Sequence, residues 1–191
     1  MNNTGQKLIC VGALFILIAF GILIKNKYED YLAGEESVEA LEILNKYIDE
    51  VENNNLDSSE QLVIKNINGY DYAAIITIPS IGLELPVLSD WDYTKLKKAP
   101  CIYYGSISEN NLIILGHNYR SHFGSLSKLE EKDKIVIKDL NSNKYIYEVV
   151  SKTVIDPHNS EEVIETGFDL TIFSCYSSGT QRIVVHANRI V

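Results

Sequence analysis

The sequence predicts a mainly β protein, a closed antiparallel barrel with short helices, preceded by an apolar N-terminal helix and an acidic one. Three observations carry this. From about residue 73 onward, short apolar or alternating runs recur with turn residues between them. Residues 8–24 form an uncharged run of 17 residues rich in Leu, Ile and Phe. Between these regions, residues 29–52 are acidic and helix-prone. A chain of 191 residues suits one globular domain with appendages. The division is a short tail (1–7), a transmembrane anchor (8–24), an acidic juxtamembrane helix or linker (25–60) and a barrel domain (61–191).

The apolar run sits at the short end of the roughly 17–25 residues that cross a bilayer. A buried core helix is the weaker reading, because no other segment shares this composition. A cleaved signal peptide is also weaker, since Lys25-Asn26-Lys27 follows where small cleavage-site residues belong. Lys7 precedes the run, and Lys25 and Lys27 follow it, so flanking charge does not orient it. In the acidic helix Leu41, Leu44, Ile48 and Val51 recur at three- and four-residue spacing. This narrow stripe suits a helix laid against the domain or forming a stalk, and is too short for a sustained coiled coil. Removal of residues up to about 55 is expected to leave a soluble, active barrel.

The strands follow in order. Residues 73–78 are apolar, and Pro79 and Gly82 break them before residues 83–88. Residues 112–115 form the next apolar run, and residues 122–129 read as a short helix or turn. Asn141-Ser142-Asn143 separates residues 135–137 from 145–150, as in a hairpin. Residues 171–174 and 183–190 complete the set.

A net charge of −9 without a Lys/Arg cluster excludes nucleic-acid binding. Of the three cysteines, Cys10 lies in the apolar run, so there is no disulfide framework. Cys101, after Pro100, reads as structural. Cys175 ends the strand Leu170-Thr171-Ile172-Phe173-Ser174 and opens a polar loop. A thiol reacts as its thiolate, which a fixed cation favours, and Arg182 opens the following strand. His117, in Gly116-His117-Asn118, ends the run 112–115, and Gly116 there allows a close backbone approach. His122 is the nearest competitor for a base, and His158 beside Pro157 reads as a turn. His186 shares a strand face with Arg182 and Val184 but lies roughly 13 Å along the strand. Arg189 is the alternate to Arg182. No CxxC or HExxH spacing suggests a metal, no acidic pair suggests calcium, and no cofactor is expected.

Thr171-Ile172-Phe173-Ser174-Cys175, Arg182, His117 and the pair Ile78-Pro79-Ser80-Ile81 and Leu85-Pro86-Val87 together resemble the sortases. These are membrane-anchored cysteine transpeptidases of Gram-positive cell surfaces. The resemblance runs from about residue 73 to the C-terminus. It implies a β-barrel, with Cys175 as nucleophile, His117 as acid and base, and Arg182 as oxyanion or substrate-holding group. It also places Thr171 and Ser174 among the substrate-binding residues. The implied partners are sorting-signal peptides of secreted proteins and a cell-wall precursor or pilin amine as acceptor. The implied location is the cell membrane, single-pass, with the catalytic domain outside, and the loop 156–167 receives the signal. The interval from His117 to Cys175 leaves no space for the long helical insertion of class B, although Gly116-His117-Asn118 is similar to that class. The subclass stays open. Two rivals use the same residues differently: a cysteine endopeptidase that passes the acyl group to water, and a non-catalytic surface β-domain.

Overall fold

The structure, a computed structural model, describes residues 3–54, 63–156, 161–164, 167–176 and 179–190. His158 and the loop serines 177 and 178 lie outside the described residues. The chain opens with one helix of 52 residues, α1 (Asn3–Asn54). Its apolar half is long and hydrophobic enough to cross a membrane, and none of that window is buried against protein. Its second half is different. Ala33, Ser37, Ala40, Leu44, Ile48 and Val51 recur every three or four residues and are all buried.

Nine strands follow: β1 (Lys65–Ile67), β2 (Tyr70–Ile78), β3 (Leu83–Leu88), β4 (Cys101–Tyr104), β5 (Leu112–Gly116), β6 (Lys134–Asp139), β7 (Lys144–Ile155), β8 (Leu170–Tyr176) and β9 (Gln181–Arg189). A short helix, α2 (Glu161–Ile164), lies between β7 and β8. Eight strands close a ring in the order β2, β3, β4, β5, β8, β9, β7, β6, and β6 returns to pair with β2. β1 is a hairpin arm on β2 outside the ring. The barrel is closed as expected, but it is mixed rather than antiparallel. β3 meets β4 in parallel at Leu88 and Cys101, and β5 runs parallel to β8 over five residue pairs. Parallel neighbours need a long crossover. Between β5 and β8 that crossover contains the whole β6–β7 hairpin, which is local and easily seen in sequence. The parallel partnership it creates is not.

Alternation along the strands divides the apolar residues among three clusters. Ile76, Val87, Ile114, Ile137, Ile172 and Val185 fill the barrel interior. Ile75, Leu88, Ala99 and Cys101 point outward and are covered by Ala40, Leu44 and Ile48 of α1. Ile113, Leu115, Phe173 and Val184 form a second outer cluster beneath Val163 of α2. β8 is therefore buried on both faces, which is why it reads as a near-continuous apolar run.

Packing joins the helix assigned to residues 25–60 to the barrel assigned to residues 61–191. Of the two placements that its apolar stripe suits, the helix takes the one laid against the domain. Ala33, Ser37 and Ala40 lengthen the buried stripe beyond its large apolar residues. Lys138 also meets Glu52 at 3.1 Å, and Ser142 donates to the same carboxylate. Leu44 and Ile48 are fully buried, and each contributes about 1.5–3 kcal/mol of burial. We therefore expect a chain lacking residues 1–54 to aggregate, since its outer cluster would face water. In the full chain, Leu44→Ala should cost about 2–5 kcal/mol. Denaturant unfolding in detergent micelles checks the second result, and size-exclusion chromatography the first.

Candidate active site

The site grows from the outer face of β5, β8 and β9, where residues line up in rows across the three strands. Leu115, Phe173 and Val184 are register partners and form one row. Their burial in the outer cluster shows which way this face points. Two residues further along β8, still on that face, stands Cys175. Its register partner on β9 is Arg182. Gly116 pairs with Ser174, so His117, the first residue beyond β5, stands at the strand end beside Cys175. Neighbouring strands lie about 4.7–4.9 Å apart. The three residues singled out in the sequence thus stand at the same end of three adjacent strands.

Cys175 and Arg182 are both half-buried. The Arg182 guanidinium donates from Nη1 to the carbonyls of Gly179 in the turn before β9 (3.3 Å) and of Gln181, the first residue of β9 (3.2 Å). His117 is half-buried and lies flat on the ring of Tyr119, with centroids 3.8 Å apart and planes 19° apart. Burial pushes its pKa down from the ordinary value. A side-chain hydrogen bond to Asn118 and the charges of Glu29 and Asp30 act in the opposite direction, and Lys97 acts with burial.

Two glycines make the histidine loop possible. A Cβ on Gly116 would lie 2.3 Å from the Phe123 ring, and one on Gly124 would lie 2.6 Å from the Tyr119 carbonyl. The close approach expected at Gly116 is therefore to Phe123, whose ring fills the barrel interior. The amide of Phe123 donates back to the His117 carbonyl at 3.1 Å, closing the loop.

The other described histidines have structural partners. His122 is fully buried, and its Nε2 lies 3.3 Å from Ser37 Oγ of α1. His186 lies 3.2 Å from Thr171 Oγ1 and stacks on Phe168. His186 and Thr171 are partners in the row of Ile113, two rows from Cys175. The Arg189 guanidinium lies over Tyr145, 4.6 Å from the ring centroid. Cys101 is fully buried, donates to the Ala99 carbonyl at 3.3 Å, and has its thiol pKa pushed up to about 12 by burial.

Two sequence assignments need correction. Thr171 is 1% exposed and Ser174 is 0% exposed, so neither presents its hydroxyl to a peptide on the surface. Thr171 is spent on His186, and Ser174 alternates onto the inner face of the barrel. Sequence reasoning also passed over Tyr119, Glu29 and Asp30. Tyr119 stands two residues from His117, which was a usable clue. Nothing local in the sequence brings residues 29 and 30 to it.

Burial lowers the pKa of His117, His122 and His186 alike, that of His122 to about 4. An unfolded histidine near 6.5 then binds protons that the folded chain refuses, so stability should fall as pH drops from about 6.5 toward 4. Melting temperatures across that range check the slope, and His122→Gln should flatten part of it.

A family model described as Sortase domain matches residues 76–190. The chain belongs to the sortase family. Its fold agrees with solved sortases of several classes. Sortase C1 from Streptococcus agalactiae is 26% identical, with a TM-score of 0.58 over 71% of this chain and 75% of that one. SortaseC1 from Streptococcus suis is 25% identical, with a TM-score of 0.54 over 62% and 72%. The Sortase D5 transpeptidase of Clostridium perfringens is 23% identical, but covers 84% of this sortase and 99% of its own chain at a TM-score of 0.61. None of the curated proteins compared matches the chain significantly.

Proposed function

We propose that this sortase is a membrane-anchored cysteine transpeptidase in which Cys175, His117 and Arg182 carry the reaction. The observation behind this is the placement of the three residues at the same end of adjacent strands, with Cys175 and Arg182 in direct register. The Cys175 thiolate attacks the carbonyl carbon of a peptide bond in a sorting signal, and a tetrahedral oxyanion forms. His117, as imidazolium, gives its proton to the leaving amine as the C–N bond breaks, which leaves a thioester on Cys175. Neutral His117 then takes a proton from the acceptor amine, whose nitrogen attacks the thioester and restores the thiolate. A cell-wall precursor or a pilin amine is the acceptor.

Burial of His117 supports the second half of this cycle, because it favours the neutral imidazole that must accept a proton. Arg182 stabilises the oxyanion or holds the substrate backbone after exchanging a turn carbonyl for the peptide. A peptide substrate fits the structural likeness to Clostridium perfringens sortase C with the C-terminal cell wall sorting motif, 22% identical at a TM-score of 0.52. The apolar half of α1 supports a single-pass anchor, and membership of the sortase family is what favours a barrel outside the cell.

The test is incubation of the full chain in micelles with candidate sorting peptides, with and without an amine such as hydroxylamine. Amine-dependent product supports transpeptidation. Cleavage at the same rate and yield without incorporated amine would favour the endopeptidase, and no reaction with any peptide the non-catalytic domain. Arg182→Lys keeps the charge but loses the planar fork of donors. Loss of one oxyanion donor typically costs about 10²–10³ in rate, and we expect acylation by Arg182→Lys to fall by that order. Arg189→Lys should be tolerated, because Arg189 alternates onto the opposite face of β9.

A further inference from the structure

The helix that carries the apolar segment also grips the loop that carries His117. Glu29 accepts a hydrogen bond from the Tyr119 hydroxyl at 3.3 Å. The Asp30 carboxylate accepts the Ser121 hydroxyl at 2.6 Å and the backbone N–H groups of Ser121 (3.1 Å) and Arg120 (3.3 Å). Gly34 fits close beneath the same loop, since a Cβ there would lie 3.3 Å from Ser121 Cβ. Next along the helix, Ser37 meets the buried His122. An open cleft of about 500 Å³ runs between Leu23 and Lys27 of α1 and His117 and Arg120 of the loop. Leu23 belongs to the apolar run, so His117 lies close to the point where that run ends.

We propose that the turn of α1 containing Glu29 and Asp30 is a positioning device for His117, acting through Tyr119 and the loop of residues 117–121. This inference rests on the assignment of His117 to the reaction. An imidazole that must give and then take a proton works only within about 0.5 Å and 10–20° of its productive geometry. His117 follows the last residue of β5, so the strand ladder does not hold it. Stacking on Tyr119 fixes the ring plane, Glu29 fixes Tyr119, and Asp30 fixes the backbone that follows. The flat stack also favours the imidazolium, because the tyrosine π face attracts a cation. The charged and titratable groups around His117 are Lys27, Glu29 and Asp30 on α1, Lys97 in the turn Lys95–Lys97, and Tyr119, Arg120 and His122 in its own loop. Cys175 stands on the neighbouring strand β8, and Arg182 one strand further on, on β9. Lys97 also meets Glu29, at 3.9 Å. Glu29 and Asp30 therefore raise the basicity that burial lowers, and α1 sets both the angle of the ring and its affinity for a proton.

The test follows the His117 ring by NMR in the full chain, carrying ¹³C-labelled histidine in detergent micelles. Glu29→Gln should move the His117 titration to lower pH by roughly 0.2–0.7 unit, the size of a partly exposed charge interaction. Glu29→Asp should restore part of it. Tyr119→Ala should broaden the ring signal and displace its titration, whereas Tyr119→Phe should keep the stack and lose only the tie to Glu29. Glu39→Gln is the control, since Glu39 lies on the same helix but holds Asn68. A second readout is alkylation of Cys175 by iodoacetamide, resolved by peptide mass spectrometry, whose pH midpoint should move with the His117 titration. A Cys175 inert in the unsubstituted chain would count against the active-site assignment while the NMR titration still decided the positioning role. An unmoved His117 titration in both Glu29→Gln and Tyr119→Ala, even with a lowered melting temperature, would overturn the proposal.

Discussion

Cys175→Ala should abolish thioester formation and product without disturbing the fold. The side chain is half-buried at the end of β8, so the substitution removes a sulfur and adds no bulk. Loss of the nucleophile in a comparable catalytic unit lowers turnover by about 10⁶, which takes it below detection in an ordinary peptide assay. Cys101→Ala provides the contrast. That thiol is fully buried between the barrel and α1, with its pKa at about 12. Its loss should leave turnover in place and lower stability instead. Peptide turnover and melting temperature, measured on both variants, separate the two roles. Product from Cys175→Ala would remove the nucleophile assignment.

His117→Ala should be nearly as damaging. Proton transfer by a positioned side chain is worth about 10²–10⁴ in rate, and His117 is assigned one transfer in each half of the cycle. The described histidines give a clear comparison. His122 is locked against Ser37, and His186 against Thr171 and Phe168. Their substitution should lower stability more than turnover. Single-turnover acylation, read beside the melting temperature of each variant, gives the comparison. Equal losses of acylation in His117→Ala and His186→Ala, at unchanged stability, would mean that the wrong histidine has been chosen.

Most strands were legible because their signals are local. Pro79 and Gly82 mark the break between β2 and β3, and Asn141-Ser142-Asn143 marks the hairpin of β6 and β7. The strands that escaped notice are short or masked. β4 spans four residues beside Pro100, and β1 three residues. The alternation of Arg182, Val184 and His186 against Ile183, Val185 and Ala187 was read correctly, because a period of two needs no tertiary information. Thr171 and Ser174 were assigned to substrate because they adjoin the cysteine in sequence. Burial on both faces of β8 removes them from the surface, and a single strand cannot reveal that its outer face is covered.

By itself the sequence determined where each candidate residue stands along its own strand. Cys175 at a strand end, Arg182 at a strand start and His117 after an apolar run are all local facts, set by alternation and by turn residues. It also determined the apolar run of α1, which depends on composition alone. Only the tertiary structure decided that β5 lies parallel to β8, because that pairing spans a crossover containing another hairpin. The sequence left open whether the acidic half of α1 lies against the domain or forms a stalk, and only the tertiary structure laid it on the barrel, through Leu44 and Ile48 with small residues extending the contact. The same contact brought Glu29 and Asp30 to the loop of His117, across some ninety residues of chain. Such a contact depends on the packing of a helix against a closed sheet, and no sequence period encodes it.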